Sequence, residues 1–551
     1  MNNLKLKDII ALTILFLVAF WLWALPIQKN SLPFGEHDGA YIFSHGDYMS
    51  YVDKSSDVSG DYPISIAFWY TGYNKVLGPM TLEYPPPYLM DYAFAQIFGG
   101  ERIVPVYIFI AVSCFIGIFS IYLLMRELYG FEAAILTSTA IMFSFRTALL
   151  YLWGQRHNVT AFIFIPIAIY SLYIYLDSFY KNEEKIQYLY IFVLLLICTY
   201  LVHFSATVFL IPFTLILITL MSIKNKRLPI KNKNIKHYLI LATLAIIIVS
   251  QFYLIYFGAD STDKVDFAIK NIGGFFKWIE IPSNNFGMNP IFHDYSSSYM
   301  SFWSIVLLLL GVFVLLWRRK NKDLVLISAL SALYAMFHLS NFGLITEGSY
   351  RIGRYLVLEN YFFYSIMVIG LLFIPDLVKV PKQYRSISKL LLTVFFLIIL
   401  VSTQGSKLYD TLNDSYEGVL RITPVQYELS EWIQENIPED SALYIRGTLT
   451  YPKKAFVQIL SRRTMERGED IPLRREILSE NIIKDNMKVL PQFVRGTDWV
   501  IPLDYVIFDY TDILAIGNQQ MFDSLTQMEE TVSKNASVIY NKNNIKVYKY
   551  N

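Results

Sequence analysis

The chain has 551 residues, of which 54% are hydrophobic and only 17% charged, with a mean hydropathy of +0.39. That is too little charge to cover a soluble protein of this length, so most of the chain must face lipid. Lys and Arg (47) nearly balance Asp and Glu (45), which gives no basis for nucleic acid or another polyanion as a partner. The two cysteines, Cys114 and Cys198, fall in apolar runs, so any domain outside the membrane is expected to fold without disulfides.

A helical crossing takes about 20 apolar residues. Runs of that kind fall at 8–25, 103–125, 132–149, 159–178, 188–203, 205–222, 238–257, 301–317, 323–340, 355–375 and 389–403. The fold class expected is a polytopic α-helical membrane protein of about 11 transmembrane helices. The first run lacks a small-residue cleavage site after "FWLWALPIQKN" and reads as a retained span. Lys and Arg collect in 224–237 (six), 318–322 (four) and 379–389 (four), and Lys5 and Lys7 precede the first span. All fall on one side if the N-terminus is cytoplasmic and the span count is odd. The protein is thus expected in the cell membrane, with the first loop, 26–102, the loop 258–300 and the tail on the outer face.

The tail, 404–551, is long enough to bury a core and reads as a small extracytoplasmic α/β domain beside the transmembrane domain, 1–403. "TPVQYELSEWIQENIPED" predicts an amphipathic helix with Thr423 as N-cap and Pro424 in its first position. "SALYIRG" and "DYVIFDY" predict strands, and "NQQMFDSLTQMEETVSK" a second helix. "ASVIYNKNNIKVYKY" predicts a hairpin turning at Asn-Asn. Sequons stand at Asn413 and Asn535.

The first outer loop carries "EHDGAYIFSHGD", with Glu36, Asp38 and Asp47 among glycines and aromatics about a dozen residues past the span. A carboxylate at the water–lipid boundary can take a proton from an acceptor hydroxyl while a lipid-borne group is attacked. The more distal Asp53, Asp57 and Asp61 read as solvated charges. Next comes "YPPPYLMDYAFAQIFG" at 84–99. Its prolines can open a helix, and the apolar spacing after them fits a helix lying along the interface.

This order of motifs resembles the GT-C superfamily of multi-span glycosyltransferases, which take a sugar from a polyprenyl-phosphate or -diphosphate carrier. Distant relatives would be the oligosaccharyltransferase catalytic subunits, the protein O-mannosyltransferases and the lipid A aminoarabinose transferase. The resemblance spans the whole topology: first span, outer acidic motif, Pro-Pro interfacial helix, second span, and outer C-terminal domain. Trp69, Gly78 and "EYPPPY" match the Trp/Gly/Pro-Pro run of prokaryotic members, and "YLWGQRHN" at 151–158 matches their Trp-Gly turn. The superfamily's essential Asp corresponds to Asp38. Gly39 follows it where the O-mannosyl and aminoarabinose enzymes carry Glu, and the tail lacks "WWDYG", so the resemblance implies an outlying prokaryotic branch.

A lipid-phosphate leaving group calls for cations near the outer leaflet. Arg351 and Arg354, in "GSYRIGRYLVLEN" at the mouth of the tenth span, are the first candidates, because guanidinium binds phosphate through paired hydrogen bonds. An interface anchor is the bland reading of both. Arg146 and Arg156 are candidates of second rank. The resemblance leaves metal open: oligosaccharyltransferases use a divalent ion such as Mn or Mg, and the O-mannosyl branch does not. Asp38, His157 and His338 are the candidate ligands, and no pair has zinc spacing.

The expected function is therefore transfer of a sugar or glycan from a polyprenyl-phosphate or -diphosphate donor to a protein, lipid or glycan acceptor on the outer face, serving cell-envelope glycosylation. Asp38 would be the general base, with Glu36 or Asp47 orienting the acceptor or a metal. The competing expectation is a non-catalytic transporter of polyprenyl lipid or polysaccharide, or a scaffold of envelope glycan assembly. A transporter more often carries mid-span charges and inverted repeats, and neither is visible in the sequence.

Overall fold

The computed structural model describes residues 5–29, 32, 65–66, 80–81, 104–144, 152, 156–183, 185–202, 204–231, 234–256, 302–341, 352–414, 421–438, 441–448, 451–461, 463–466, 487–489, 500–502 and 504–550. They fall into two compact units. One comprises Met1–Leu25, Ile108–Tyr151 and Arg156–Asn413; the other comprises Pro26–Tyr107, Leu152–Gln155 and Asp414–Asn551.

The first unit is built of helices: α1 (Leu6–Lys29), α2 (Val104–Tyr129), α3 (Phe131–Met142), α4 (Arg156–Tyr180), α5 (Gln187–Val202), α6 (Phe204–Asn225), α7 (Ile235–Tyr256), α8 (Phe302–Arg318), α9 (Asn321–Asn341), α10 (Ile352–Leu377), α11 (Arg385–Ile399) and α12 (Ser406–Asp414). Among the described residues, four stretches are long and apolar enough to cross a membrane: Leu6–Pro26, Ala111–Tyr129, Ile163–Tyr180 and Lys382–Asp410. The outward faces show what solvent these helices meet. On α11, Ile387, Leu390, Leu391, Val394, Phe395 and Ile398 are all exposed. On α1, Ile9, Ile10, Ile14 and Leu17 are exposed while Asp8, Ala11, Leu15, Ala19 and Leu22 are buried. A helix that is apolar on its outward as well as its inward face and buries its carboxylate suits lipid rather than water.

Without a hydrophobic drive between helices in lipid, close approach of backbones does more of the work. Gly311 of α8 and Gly370 of α10 are where it happens. A Cβ on Gly311 would lie 2.0 Å from the Ile366 carbonyl oxygen, and one on Gly370 would lie 2.3 Å from that of Leu307. The last helix does not stop at 403. A π-helical segment, Leu400–Gly405, joins α11 to α12, so helical backbone continues to Asp414 and the unit boundary falls at Asn413.

Several helices end in the same way. Asn182, Lys226 and Lys379 have φ of 62°, 51° and 55°, and each supplies the left-handed residue of a Schellman cap. After α6, Lys226 N–H bonds the Ile223 carbonyl and Arg227 N–H that of Ser222; after α10, Lys379 N–H bonds Asp376 and Val380 N–H bonds Pro375. Glycine would be the easier residue. A cation there instead meets the negative end of the helix dipole.

The second unit holds a five-stranded sheet, ordered β4-β3-β7-β9-β8, with β3 (Ala442–Arg446), β4 (Thr464–Glu466), β7 (Tyr505–Asp509), β8 (Ala536–Lys542) and β9 (Ile545–Tyr550). Strand β3 pairs in parallel with both β4 and β7, while β9 runs antiparallel to β7 and β8. Two short antiparallel pairs lie outside it: β1 (Ser65–Ile66) with β2 (Met80–Thr81), and β5 (Met487–Val489) with β6 (Val500–Pro502). Its helices are α13 (Pro424–Asn436), α14 (Tyr451–Ser461), α15 (Thr511–Ile516) and α16 (Gln519–Val532).

Alternation splits the strands between two cores. Leu443, Ile445, Tyr505, Ile507, Ile545 and Val547 pack with Leu429 and Ile433 of α13 and Val457 of α14. Tyr444, Val506, Phe508 and Tyr548 pack with Leu525 and Val532 of α16. The sheet is therefore covered on both faces. Thr423 closes a capping box with Gln426 ahead of Pro424, and the terminal hairpin turns through Asn543 and Asn544, with φ of 54° and 63°, the positive values a tight two-residue turn needs.

Candidate active site

Cations and carboxylates concentrate at one end of the helical unit. Asp8, fully buried, accepts from Arg126 Nε at 2.6 Å, Tyr122 Oη at 2.8 Å and the Lys5 N–H at 2.9 Å. Asp323, also fully buried, accepts from Arg318 Nη2 at 2.6 Å, Tyr129 Oη at 3.1 Å and the Lys320 N–H at 2.9 Å. Asn321 donates to Asp177 at 3.0 Å, and Lys224 Nζ donates to the Arg319 carbonyl. Donors from different helices saturate each buried carboxylate, which is the condition for its charge to be tolerated. This basic end therefore pins helices together through Asp8 and Asp323.

The pins also fix direction. They place the start of α1, the α2–α3 turn, the ends of α4, α6 and α8 and the start of α9 at the basic end. Helix α3 rises from there to Phe143, whose ring sits 3.3 Å from where a Cβ of Gly405 would be. Helix α11 thus rises the same way from Arg385, and Arg385 pairs with Asp376 at 2.9 Å, which brings the end of α10 to the basic end as well. At 1.5 Å per residue, the 20 residues from Asp177 back to His157 span about 30 Å. The 17 from Asn321 to His338 span about 25 Å, and the 22 from Asp376 back to Arg354 about 33 Å. The backbones of Arg156, His157, His338 and Arg354 therefore meet at the opposite, far end.

Arg156 is the first residue of α4 and Arg354 the third of α10. Both helices present their N-termini at the far end, where unpaired N–H groups and the macrodipole favour anions. The side chains of Arg156, His157, His338 and Arg354 lie outside the described residues, as do Glu36, Asp38, Asp47, Arg146 and Arg351 entirely. The chain leaves α1 at Lys29, nine residues before Asp38. Among the described residues, no group of three His, Cys, Asp or Glu side chains is arranged to hold a metal ion. His237, the last residue of the cation-rich segment 224–237, has Nδ1 2.7 Å from Tyr190 Oη. The clamps on Asp8 and Asp323 have only a weak sequence signal, a lone carboxylate at the polar edge of an apolar run.

Apolar outward faces on long helices and one cation-rich end define a polytopic membrane protein. Its fold is that of the GT-C glycosyltransferases. The chain is similar to the Archaeoglobus fulgidus oligosaccharyltransferase AglB solved with an inhibitory peptide and a dolichol-phosphate. The two are 12% identical with a TM-score of 0.54, covering 99% of this chain and 74% of that one. The Archaeoglobus fulgidus enzyme with Zn and sulfate gives 13% and 0.53, over 98% and 73%. ArnT from Cupriavidus metallidurans bound to undecaprenyl phosphate is 12% identical with a TM-score of 0.51, and 97% of each chain is covered. A family model for a family of unknown function (DUF6541) matches residues 95–344. No curated protein matches.

Proposed function

We propose that the chain is a membrane glycosyltransferase that moves a sugar or glycan from a polyprenyl-phosphate or -diphosphate carrier to an acceptor on the outer face of the cell membrane. The observation that carries this reading is the GT-C fold extending over 97% of this chain and 97% of ArnT, joined to the arrival of Arg156 and Arg354 at one end of the bundle. ArnT was solved with undecaprenyl phosphate and AglB with a dolichol-phosphate and a peptide. A lipid-phosphate donor is the chemistry the two arginine-bearing helix starts suit.

In this reading about eleven helices span the membrane, the basic end and the N-terminus are cytoplasmic, and the far end and the C-terminal α/β unit are outside. Asp38 accepts the proton of the acceptor nucleophile as it attacks the anomeric carbon. The bond from that carbon to the carrier phosphate oxygen breaks, and its electron pair stays on the phosphate. Arg354, with Arg351, stabilises the charge that develops there, an electrostatic contribution from groups already in place. Arg146 and Arg156 extend the positive field. Glu36 or Asp47 orients the acceptor. A divalent ion, Mn or Mg, would be held by Asp38 with His157 and His338 as candidate nitrogen ligands, and would supply Lewis-acid charge near the acceptor.

The test is transfer from a short-chain polyprenyl-phosphate-sugar pool by the purified full chain. Asp38→Asn is expected to lower turnover at least about a hundredfold, the scale of a lost general base, and Arg354→Ala to weaken donor binding. Loss of activity with a chelator, restored by Mn or Mg, would place the metal. Turnover untouched by Asp38→Asn would move the base to Glu36 or Asp47. Tight donor binding with no transfer to any acceptor would favour the transporter or scaffold.

A further inference from the structure

The two sequons stand in different surroundings. Asn413 is half-buried in the last turn of α12. Asn535 lies in the turn that leads from α16 into β8, where its N–H bonds the Val532 carbonyl at 3.0 Å, and its side chain is exposed. Ala536, the middle residue of the sequon, is buried in the core that Leu525 and Val532 of α16 share. Its two neighbours in the chain, Asn535 and Ser537, are both exposed. Such alternation is what an extended chain gives, and it turns the first and third side chains away from the core together. The amide and the hydroxyl that a sequon-directed enzyme reads are thus offered on one open side.

The strand that follows has a second property that bears on this turn. Strand β8 ends the sheet, so among the described strands its outer edge meets no neighbour. Val538 and Ile539 are 49% and 39% exposed, and from Ala536 to Asn541 the strand carries no charge. A bulge between Val538 and Tyr540 interrupts the ladder, and Lys542 stands at the far end. Charge, bulges and covering groups are what keep an edge of this kind from pairing with another chain. A bulky, hydrophilic group on Asn535 would cover the near end.

We propose that Asn535 is a modification site that carries an N-linked glycan. The inference rests on the outer placement of the α/β unit in the reading above. The donor is a glycan on a polyprenyl phosphate or diphosphate. Asn535 Nδ2 bonds the anomeric carbon as the bond from that carbon to the carrier phosphate oxygen breaks. The electron pair stays on the phosphate, and one amide proton passes to the base of the transferring enzyme.

The test uses the full chain purified from membranes of the cells that naturally make it. Lys534 and Lys542 flank the site, so trypsin releases residues 535–542 as one peptide, whose mass and fragmentation report a sugar on Asn535. The wild-type peptide is expected to carry a glycan. Asn535→Gln and Ser537→Ala, both at exposed positions, should each leave the peptide bare, and Ser537→Thr should keep the glycan. A bare wild-type peptide would overturn the proposal, and so would a glycan that persists in Ser537→Ala. Placement is read separately, in intact cells making the Asn535→Gln variant, where a membrane-impermeant amine reagent is expected to label the exposed Lys534. Labelled Lys534 beside a bare wild-type Asn535 would overturn the glycan and leave the outer placement standing. Lys534 beyond the reagent's reach would overturn that placement, and with it both this proposal and the topology of the glycosyltransferase reading.

Discussion

Asp509 in the α/β unit and Asp8 and Asp323 in the helical unit are all fully buried carboxylates, yet the two units tolerate them differently. Asp509 lies at the end of β7, inside the fold, where Gln426 Nε2 and Thr448 Oγ1 donate to Oδ2 and the Thr511 N–H and Oγ1 donate to Oδ1. Lys453 and Asp512 form a second buried pair at 2.6 Å. In the helical unit, among the described residues, Asp8 and Asp323 are clamped at the basic end by side chains of neighbouring helices. The difference is in the donors. Neutral amide and hydroxyl donors hold Asp509, whereas an arginine from a neighbouring helix meets each of Asp8 and Asp323.

The sharpest way to break this comparison is at the glycines that let backbones meet. Gly447 follows β3 with φ of +96°, and a Cβ there would lie 1.9 Å from the Asp509 carbonyl oxygen. Gly447→Ala should destabilise the α/β unit by at least about 3 kcal/mol, since backbone strain and a clash add. Hydrogen exchange of the full chain would show β3 and β7 opening. Gly311→Ala in the helical unit meets backbone at 2.0 Å and should be comparably damaging. A mild effect at either position would mean the backbones separate more readily than their spacing implies.

Asp509→Ala comes next. It strands Gln426, Thr448 and Thr511 without their acceptor, at a cost of about 3 kcal/mol, read as earlier unfolding of the unit. A loss below about 1 kcal/mol would mean that water or rearranged side chains replace the lost acceptor.

What the sequence showed in advance follows from the kind of signal each feature leaves. Apolar runs locate helices because lipid demands them, and α1 through α11 each overlap one. Thr423-Pro424 and Asn543-Asn544 are local stereochemistry, legible from a few residues. The extension of helix to Asp414 was not legible, because Gln404 to Asp414 is polar enough to read as a tail. Nor were α14 and β4, whose placement depends on pairing with β3. The clamps on Asp8 and Asp323 join residues over a hundred positions apart or across a turn, and no spacing rule announces them. The resemblance supplied Asp38 and the choice among the arginines; the backbone adds that Arg156 and Arg354 share one end with His157 and His338.

A smaller effect separates charge from packing in the α/β unit. The Glu529 carboxylate accepts from Tyr510 Oη at 2.6 Å, Tyr548 Oη at 2.5 Å and Lys546 Nζ at 2.6 Å. Burial pushes its pKa up, but the bonds from Lys546, Tyr510 and Tyr548 outweigh burial and hold it below the ordinary 4.5. A carboxylate with a lowered folded value stabilises at pH above its unfolded value and loses that contribution as pH falls through the folded one. The unit should therefore be stable at neutral pH and weaken as the medium is acidified below 4.5. Glu529→Gln should remove about 2 kcal/mol at pH 7 and flatten the acid limb. An acid limb unchanged in Glu529→Gln would assign the pH dependence to other carboxylates.

The smallest expected effect has the opposite sign. Lys226 holds φ of 51° in the cap of α6, a conformation that costs a non-glycine residue about 1 kcal/mol. Lys226→Gly should relieve it, raising the unfolding temperature slightly in neutral detergent, where only the cap matters. In vesicles rich in anionic lipid the same change removes a cation at the basic end, and each such charge contributes about 1 kcal/mol near an anionic surface. The gain should therefore vanish there. A gain of equal size in both media would mean that Lys226 does not sit against the charged leaflet. The cation would then serve the helix end alone, and the assignment of the basic end to the cytoplasmic surface would lose one of its supports.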